Sequence, residues 1–364
     1  MRQSAEKAVV QSVWIRTSTG GYQAVIGAGL LDAIGSRVTP VVRGPRCAVI
    51  ADSNTARRFS EPVCRSLDGA GFRSTLITVP AGETSKSLQQ AGAVCEQMAA
   101  AGLDRSSFVV ALGGGVVGDL VGFAAAIYHR GIPYVQVPTT LLAQVDSSIG
   151  GKTAVNTPAA KNLLGAVHPP VLVVADVETL ETLPNRELNQ GFAEIIKHAV
   201  IADATLFELL HAFELTRLPE LVRRNVAIKA AFVALDERDT SGARATLNFG
   251  HTVGHALERA AGYGALLHGE AVSLGIVAAC EVSVQRAGLS EAERQQVLSA
   301  LQRFDLPTSL PVDFPRAEIM QAVRSDKKFQ HGEVRFIVSP RLGSAQLTSD
   351  VTLDDIARAV QKLA

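Results

Sequence analysis

Runs of consecutive apolar residues dominate the first half of the chain, and polar or glycine-rich stretches separate them. Short, continuous apolar runs rich in β-branched residues are typical of strands buried on both faces. Five such runs predict buried strands, at 47–51, 74–79, 108–112, 134–137 and 172–175. Residues 84–101 have the length and apolar spacing of a helix. Strands that alternate with helices favour a largely parallel, Rossmann-like sheet with crossover helices.

The pattern changes in the second half of the chain. From Pro184 onward, long helical stretches replace the strand-like runs, and a strand-like run returns only at 334–338 (VRFIV). Proline is favoured in the first turn of a helix, so Pro184 is well placed to begin one. We therefore expect a boundary at 182–185, between an α/β domain (1–182) and a mainly α-helical domain (183–364).

Composition narrows the class of protein. Hydrophobic residues make up 47% of the 364 and charged residues 19%, which suits a buried core and excludes a disordered chain. The 35 basic and 35 acidic residues cancel, and no basic stripe indicates binding to nucleic acid or to an anionic membrane. The four cysteines form no CxxC pair, the N-terminus lacks the apolar core of a signal peptide, and no long apolar run predicts a membrane span. These features predict a soluble, cytoplasmic protein.

A glycine-rich turn follows the third predicted strand, in FVVALGGGVVGDL. Gly113, Gly115 and Gly118 match the dinucleotide-binding pattern G-x-G-x-x-G in a strand-to-turn context. The acidic residue expected about 20 positions later is missing, because that region reads His129-Arg130-Gly131. The alternative is a plain tight turn.

Two further polar clusters follow predicted strands, Asp52 with Asn54 and Glu83 with Lys86. Either could hold the adenosine end of a nucleotide, and Asp52 could accept ribose hydroxyl groups. Three polar strand ends in one domain favour dinucleotide binding in a non-standard geometry.

Histidine and glutamate spacing in the second half predicts a metal site. His251 and His255 are four apart in NFGHTVGH, so on a helix they share one face, and His268 follows in LHGEAV. Glu194 lies upstream in GFAEIIKHAV, together with Lys197 and His198 on adjacent turns of the same predicted helix. One glutamate and two histidines are a typical catalytic zinc set. The spacing leaves open whether His268, His255 or His198 completes the site.

A polar stretch between the two halves could bind an anion. Its candidates are Thr139, Thr140, Asp146, Lys152, Lys161 and Asn162. The GGK segment around Lys152 lacks the spacing of a P-loop, so a Walker A site is not expected. Further cations lie at loop-like positions: Arg130, Lys229, Arg244, Lys327 and Lys328.

Taken together, these motifs resemble the 3-dehydroquinate synthase family. The resemblance rests on GGGVVGDLVGFAAA, HRGIPYVQVPTTLLAQVDSSIGGKTAVN, KNLLGAVHPP, TLPNRELNQGFAEIIKHAVI, LNFGHTVGHALE and LHGEAVSLGI, in the family's order and spacing. It implies that the metal ligands are Glu194, His251 and His268. It implies NAD contacts at Asp52, Asn54, Glu83, Lys86, Gly113, Gly114, Gly115, Asp119, Thr139, Thr140 and Thr182, with Lys152 and Lys161 nearby. It implies substrate contacts at Arg130, Asp146, Lys152, Lys161, Asn162, Lys197, Lys229, Arg244, Asn248, His255 and one of Lys327 and Lys328.

The resemblance also implies a reaction and an assembly. The expected enzyme is a homodimer that uses NAD and zinc or cobalt, with its active site in the cleft between the two domains. It would convert 3-deoxy-D-arabino-heptulosonate 7-phosphate to 3-dehydroquinate and phosphate, a step in aromatic amino acid biosynthesis. Three alternatives are another sugar phosphate cyclase, such as an amino-dehydroquinate synthase, a metal-dependent alcohol or glycerol dehydrogenase, and a non-catalytic relative.

Overall fold

A computed structural model describes the chain at residues 10–240, 242–262, 265–312, 314–324 and 335–363. The chain divides into two compact units. The first contains Met1–Leu183 and Thr216–Arg238, and the second contains Pro184–Leu215 and Asp239–Ala364.

The elements up to residue 183 alternate between strands and helices. In chain order they are β1 (Gln11–Thr17), β2 (Gly20–Gly27), α1 (Ile34–Val38), β3 (Arg46–Asp52), α2 (Ser53–Gly69), β4 (Arg73–Val79), α3 (Leu88–Ala100), β5 (Phe108–Gly113), α4 (Gly115–Ile127), β6 (Tyr134–Pro138), β7 (Lys152–Val155), β8 (Leu164–Val167) and β9 (Leu172–Asp176).

Helices dominate the rest of the described chain. They are α5 (Asn185–Ile201), α6 (Leu206–His211), α7 (Leu218–Leu235), α8 (His251–Ala260), α9 (His268–Arg286), α10 (Glu291–Arg303), α11 (Arg316–Arg324) and α12 (Leu353–Gln361), with the strands β10 (Phe336–Arg341) and β11 (Ser344–Thr348) between the last two helices. None of the helices in the described ranges is long and apolar enough to cross a membrane.

The first unit is built on a seven-stranded sheet in the order β1-β2-β9-β6-β5-β3-β4. Every neighbouring pair is parallel except the hairpin β1–β2. The five predicted strands are β3, β4, β5, β6 and β9, and the largely parallel sheet is confirmed. The prediction that β4 is buried is wrong, because β4 is an edge strand in which only Ile77 and Val79 are buried. Strand β5 is buried along its whole length, with one apolar cluster on each face of the sheet, which is why its sequence is a continuous apolar run. The hairpin β1–β2 lies outside the predicted elements.

One helix from the second half of the chain belongs to the first unit. Helix α7 packs against β1, although the sequence predicts a first domain that ends at residue 182. The second unit begins at Pro184, which directly precedes α5. This position lies within the predicted boundary at 182–185.

The second unit is a helical layer around two nearly buried helices, α5 and α9. Helices α8 and α9 cross closely because glycines line the contact. A Cβ atom placed on Gly275 would lie 2.0 Å from the carbonyl oxygen of Gly250. The predicted strand at 334–338 overlaps β10, which begins two residues later, at Phe336.

Candidate active site

The predicted nucleotide residues gather at one edge of the sheet in the first unit. In a parallel sheet the carboxyl ends of the strands lie side by side, and this edge is where open α/β sheets bind ligands. Strand β3 ends at Asp52, β5 ends at Gly113, and β6 is followed by Thr139. The backbone amide of Thr139 donates to the carbonyl of Gly113 over 3.0 Å, which ties the two strand ends together.

The glycines of the turn lie close to neighbouring side chains, so a Cβ atom at these positions would be crowded. A Cβ on Gly114 would lie 3.0 Å from Thr140 Cγ2, and one on Gly115 would lie 3.1 Å from Ser147 Oγ. Gly118 instead faces Gln136, at 2.8 Å, so its role is helix–sheet packing. Helix α4 begins at Gly115, and the N-terminus of a 13-residue helix attracts a phosphate group. These features fit the pyrophosphate of a dinucleotide.

The Asp52 carboxylate caps helix α2. Its Oδ1 accepts hydrogen bonds from the backbone amides of Asn54 (2.8 Å) and Thr55 (2.9 Å). This cap stabilises the start of α2 and holds Asp52 and Asn54 in one turn. Thr182 is the last of the predicted NAD residues along the chain, and its hydroxyl donates a hydrogen bond to the carbonyl of Thr179 over 3.0 Å.

A buried ion pair joins two of the predicted NAD residues. Lys86 Nζ lies 2.5 Å from Asp119 Oδ2, and both side chains are largely buried. Burial raises the pKa of Asp119, while the charge of Lys86 opposes that rise. Asn156, a residue outside the predicted site, donates to Glu83 Oε1 over 2.7 Å, and its own Oδ1 accepts from the backbone amide of Asn162 over 2.9 Å. Its place in the GGKTAVN motif is the signal that could have found it.

Asp146 and Lys229, 83 residues apart, meet within the first unit. Lys229 Nζ lies 2.8 Å from Asp146 Oδ1 and donates to the Asp146 carbonyl over 2.7 Å. Asp146 lies in a single π-helical turn, Ala143–Ser147, a local irregularity that is frequent at functional sites. Lys229 lies within helix α7, so the prediction of a loop-like position for it is wrong. The pair adds to the packing of α7 against β1 in this unit.

Of the remaining predicted anion-binding residues of the first unit, Lys152 begins β7, Arg130 ends a 3-10 helix, and Lys161 and Asn162 lie in a turn. Lys152 is exposed and follows Gly150 and Gly151, which have φ angles of +99° and +66°. Arg130 and Asn162 also have positive φ angles, +70° and +54°, a region that is uncommon for arginine and more readily adopted by asparagine. Lys161 is half-buried beside Asn162.

Three side chains in the second unit converge as a metal site would require. Glu194 lies on α5, His251 is the first residue of α8, and His268 is the first residue of α9. Nε2 of His251 and Nε2 of His268 lie 3.4 Å and 3.5 Å from Glu194 Oε1. In a tetrahedral zinc site with bonds of about 2.1 Å, neighbouring ligand atoms are about 3.4 Å apart. The spacing of the three groups therefore fits one ion.

The buried Glu194 carboxylate also fits this interpretation. Its side chain is 1% exposed, Lys197 Nζ is 2.5 Å from Oε2, and neither oxygen accepts a well-aligned hydrogen bond from the described residues. Burial raises the pKa of Glu194, but Lys197 and His251 outweigh this and hold it well below its usual range. The Glu194 carboxylate is therefore a buried anion without well-aligned hydrogen-bond donors among the described residues, as expected for a group that binds a cation.

The two histidines differ in charge preference. Burial lowers the pKa of His251 more than Glu194 raises it, so this ring is neutral and can offer a lone pair. Burial also acts to lower the pKa of His268, but Glu194 and Glu258 outweigh it and raise the value to about 9. Without an ion, His268 holds a proton at neutral pH, and a bound cation would replace that proton.

Other predicted residues of the second unit lie in the same region of the chain. Arg244 is buried in the 3-10 helix Ala243–Asn248, and Asn248 ends that helix. His255 is exposed one turn beyond His251, with ring centroids 5.3 Å apart, and His198 is fully buried on α5. Lys327 and Lys328 lie outside the described residues.

Comparison with known proteins covers both units. Residues 76–190 match the family model of the 3-dehydroquinate synthase N-terminal region, and residues 191–329 match that of the C-terminal region. The 3-dehydroquinate synthase of Symbiobacterium thermophilum is 46% identical over 94% of this chain and 98% of its own length. The corresponding protein of Pelobacter propionicus is 44% identical over 90% and 93%.

Solved structures show the same fold. A 2-epi-5-epi-valiolone synthase from Streptomyces hygroscopicus subsp. jinggangensis, with NAD+ and Zn2+ bound, has a TM-score of 0.85 and 31% identity over 100% of this chain and 99% of its own. A protein from Sinorhizobium meliloti described as a probable glycerol dehydrogenase, at 18% identity over 92% of this chain and 94% of its own, has a TM-score of 0.60 and shows the fold alone. The chain belongs to the 3-dehydroquinate synthase family.

Proposed function

We propose that this enzyme converts 3-deoxy-D-arabino-heptulosonate 7-phosphate to 3-dehydroquinate and phosphate. The proposed course is oxidation at carbon 5, elimination of phosphate, reduction at carbon 5 and intramolecular aldol closure. The observation that carries the proposal is the cluster of Glu194, His251 and His268, because its spacing fits one ion in a chain that belongs to the 3-dehydroquinate synthase family. Hydride acceptance by NAD would be transient, so the reaction makes no net NADH.

Glu194, His251 and His268 would hold the metal ion. A Zn2+ or Co2+ ion bound there would supply a Lewis acid that lowers the pKa of a substrate hydroxyl group. Lys197 is 2% exposed and its Nζ lies 2.5 Å from Glu194 Oε2, so its ammonium group would lie next to the ion. We assign Lys197 to the substrate groups that bind there. The zinc bound in the valiolone synthase supports this assignment.

The carboxyl edge of the first sheet would hold NAD. The N-terminus of α4 would receive the pyrophosphate, and the Lys86–Asp119 pair would fix the wall of the same pocket. NAD would supply a reversible hydride acceptor there. The relative that contains NAD+ at 31% identity supports this assignment.

The cationic and amide side chains would bind the two anionic ends of the substrate. We assign the phosphate to Arg130, Lys152, Lys161 and Asn162, and the Asp146–Lys229 pair to the nearby hydroxyl groups. Arg244, Asn248 and His255 would hold the carboxylate, since a guanidinium group pairs with a carboxylate through two parallel hydrogen bonds. Because the substrate phosphate can take the proton released beside the new ketone, the enzyme acts mainly by positioning. The proposed reaction requires residues of both units to act on one substrate.

The choice of substrate separates this function from its rivals. Purified protein would be incubated with NAD+ and zinc and with one of three substrates: the heptulosonate phosphate, its amino analogue, or glycerol. We expect phosphate release from the first substrate and formation of dehydroquinate. Turnover of the amino analogue alone would assign an amino-dehydroquinate synthase, and NADH accumulation with glycerol would assign a dehydrogenase.

We further propose that the enzyme is a cytoplasmic homodimer. All four cysteines of the chain are free thiols, which suits a reducing compartment. Strand β1 is an edge strand with an exposed Trp14, and such an edge can pair with a second copy. Light scattering coupled to size-exclusion chromatography would give twice the 38.4 kDa chain mass, and a monomer mass would refute the assembly.

A further inference from the structure

The two candidate histidine ligands are oriented in the same way. Each presents Nε2 to Glu194 and turns Nδ1 away from it. Nδ1 of His251 lies 3.2 Å from the carbonyl oxygen of Phe249, and Nδ1 of His268 lies 3.7 Å from Glu258 Oε1. A histidine that binds a metal through one nitrogen commonly donates its other N–H to such an acceptor. The second acceptor is therefore a carboxylate on another helix.

We propose that Glu258 is a positioning residue, which fixes the tautomer and orientation of His268 and thereby strengthens metal binding. This inference rests on the proposed metal site. Glu258 does not belong to the predicted site, and it would act only through His268.

The fold places Glu258 for this role. His251, His255 and Glu258 follow one another at helical spacing along α8, so they share one face of that helix. A Cβ on Gly254 would lie 3.1 Å from the carbonyl oxygen of Ala271, so α8 and α9 approach closely beside this face. The last turn of α8 therefore delivers Glu258 to the first residue of α9, which is His268.

The burial of Glu258 and the partial exposure of His268 indicate why each side chain needs the other as a partner. Glu258 is 6% exposed, and a buried carboxylate is destabilising unless a donor or a positive group offsets the lost hydration. The His268 side chain is 35% exposed, whereas that of His251 is 11% exposed and its Nδ1 faces a rigid backbone carbonyl. His268 therefore has the greater freedom to rotate and depends more on a partner that holds it.

The chemistry follows from the tautomer. When Nδ1 carries the proton and donates a hydrogen bond to Glu258, the lone pair of the ring is on Nε2, the atom that faces Glu194. A carboxylate acceptor also makes the imidazole a stronger ligand than a neutral acceptor does. The 3.7 Å separation must shorten by about 0.7 Å to reach an ordinary hydrogen bond. The inference therefore requires a small rotation of the His268 ring, which its 35% exposure leaves room for.

A competing role for Glu258 is visible in the same geometry. His255, Glu258 and His268 also place one ligand atom each within 4.8 Å of one another. If Glu258 bound an ion directly, the chain would take up a second metal ion or use a different ligand set. The two roles differ in metal stoichiometry and in the absorption spectrum of bound Co2+.

The test compares Glu258→Gln and Glu258→Ala with the wild type, all freed of metal. Glu281→Gln is the matched control, because Glu281 is also 6% exposed, lies on α9 thirteen residues beyond His268, and pairs with Lys362. Affinity for Zn2+ is measured by competition with a chromophoric chelator, and Co2+ binding by visible absorption. Nitrogen-15 NMR of the histidine rings in the zinc-bound protein reports the Nδ1–H proton.

We expect affinity to fall about 10-fold to 100-fold in Glu258→Ala and less in Glu258→Gln, whose amide oxygen can still accept a hydrogen bond from Nδ1–H of His268. Glu258→Gln should still bind one ion per chain, with an unchanged Co2+ spectrum. Glu281→Gln should bind zinc within twofold of the wild-type affinity. The wild type should show a slowly exchanging Nδ1–H signal of His268. Affinity in both Glu258 variants within twofold of the wild type would overturn the inference and leave the metal site standing. A second equivalent of metal lost with Glu258 would also overturn it. A wild type that binds no metal would instead overturn the proposed metal site itself.

Discussion

Replacing Gly275 by alanine should destroy metal binding without touching a ligand. A Cβ at this position would lie 2.0 Å from the carbonyl oxygen of Gly250, whereas ordinary contacts begin near 3.4 Å, so the two backbones must separate by about 1.4 Å. Gly250 directly precedes His251, and Gly275 lies on the same helix as His268. Metal sites tolerate errors of only about 0.2 Å in ligand distance, so this displacement is several times too large.

The assay is zinc affinity of metal-free protein, with thermal unfolding measured in parallel. We expect affinity to fall at least 100-fold, and overpacking to lower the free energy of unfolding by about 1–3 kcal/mol. The matched control is Gly92→Ala on α3, where a new Cβ meets no atom within 4 Å. Because alanine favours helix over glycine, this control should keep metal affinity and gain up to about 1 kcal/mol.

A Gly275→Ala protein that binds zinc as tightly as the Gly92→Ala control would refute this reasoning. It would mean that α8 and α9 can move apart without moving His251 relative to His268. Loss of affinity in both variants would point to a general loss of stability.

Three further predictions concern charge and burial. Burial acts to raise the pKa of Asp355, but hydrogen bonds from Arg286 and Thr352 outweigh burial and lower the pKa to about 2. The ionised carboxylate therefore stabilises the folded protein fully above pH 4, and this stabilisation is lost as the pH falls toward 2. Asp355→Asn should therefore cost about 2 kcal/mol in urea unfolding at pH 7 and progressively less at acid pH, and a constant difference would contradict this. Lys86→Met leaves the Asp119 carboxylate buried without its cation, so we expect a loss on the order of 3 kcal/mol and weaker NAD binding by calorimetry, and unchanged stability would argue against the buried pair. Burial raises the pKa of Cys47 and of Cys280 to about 12, so a thiol reagent should leave both unmodified in the native protein, and fast modification of all four cysteines would contradict the structure.

The strands that could be predicted from the sequence are those that coincide with continuous apolar runs. Strands such as β5 are buried on both faces, so their sequence is continuous in apolar residues and stands out. Strand β1 has one buried residue in seven, and such a run does not differ from a loop in apolar content. The placement of α7 in the first unit depends on packing against β1 and on the Lys229–Asp146 pair, neither of which leaves a local signal.

The residues of the candidate site also differ in how far the sequence predicts them. Four-residue spacing identifies His251 and His255 as neighbours on one helix but cannot say which of them faces Glu194 on another helix. The structure brings His251 and His268 within 3.5 Å of that carboxylate, and their role as ligands stays a prediction. Glu258 lies at helical spacing from His251 and His255, but that spacing does not show that its carboxylate faces His268 on another helix. Only the three-dimensional arrangement reveals this contact.

The central claim is tested most directly by titrating zinc into metal-free protein supplied with NAD+ and the heptulosonate phosphate, while phosphate and NADH are followed together. Phosphate release should rise in proportion to zinc and saturate at one ion per chain, NADH should not accumulate, and His251→Ala should stay inactive throughout. Phosphate release that persists in the metal-free protein, or NADH that accumulates with each turnover, would contradict the account.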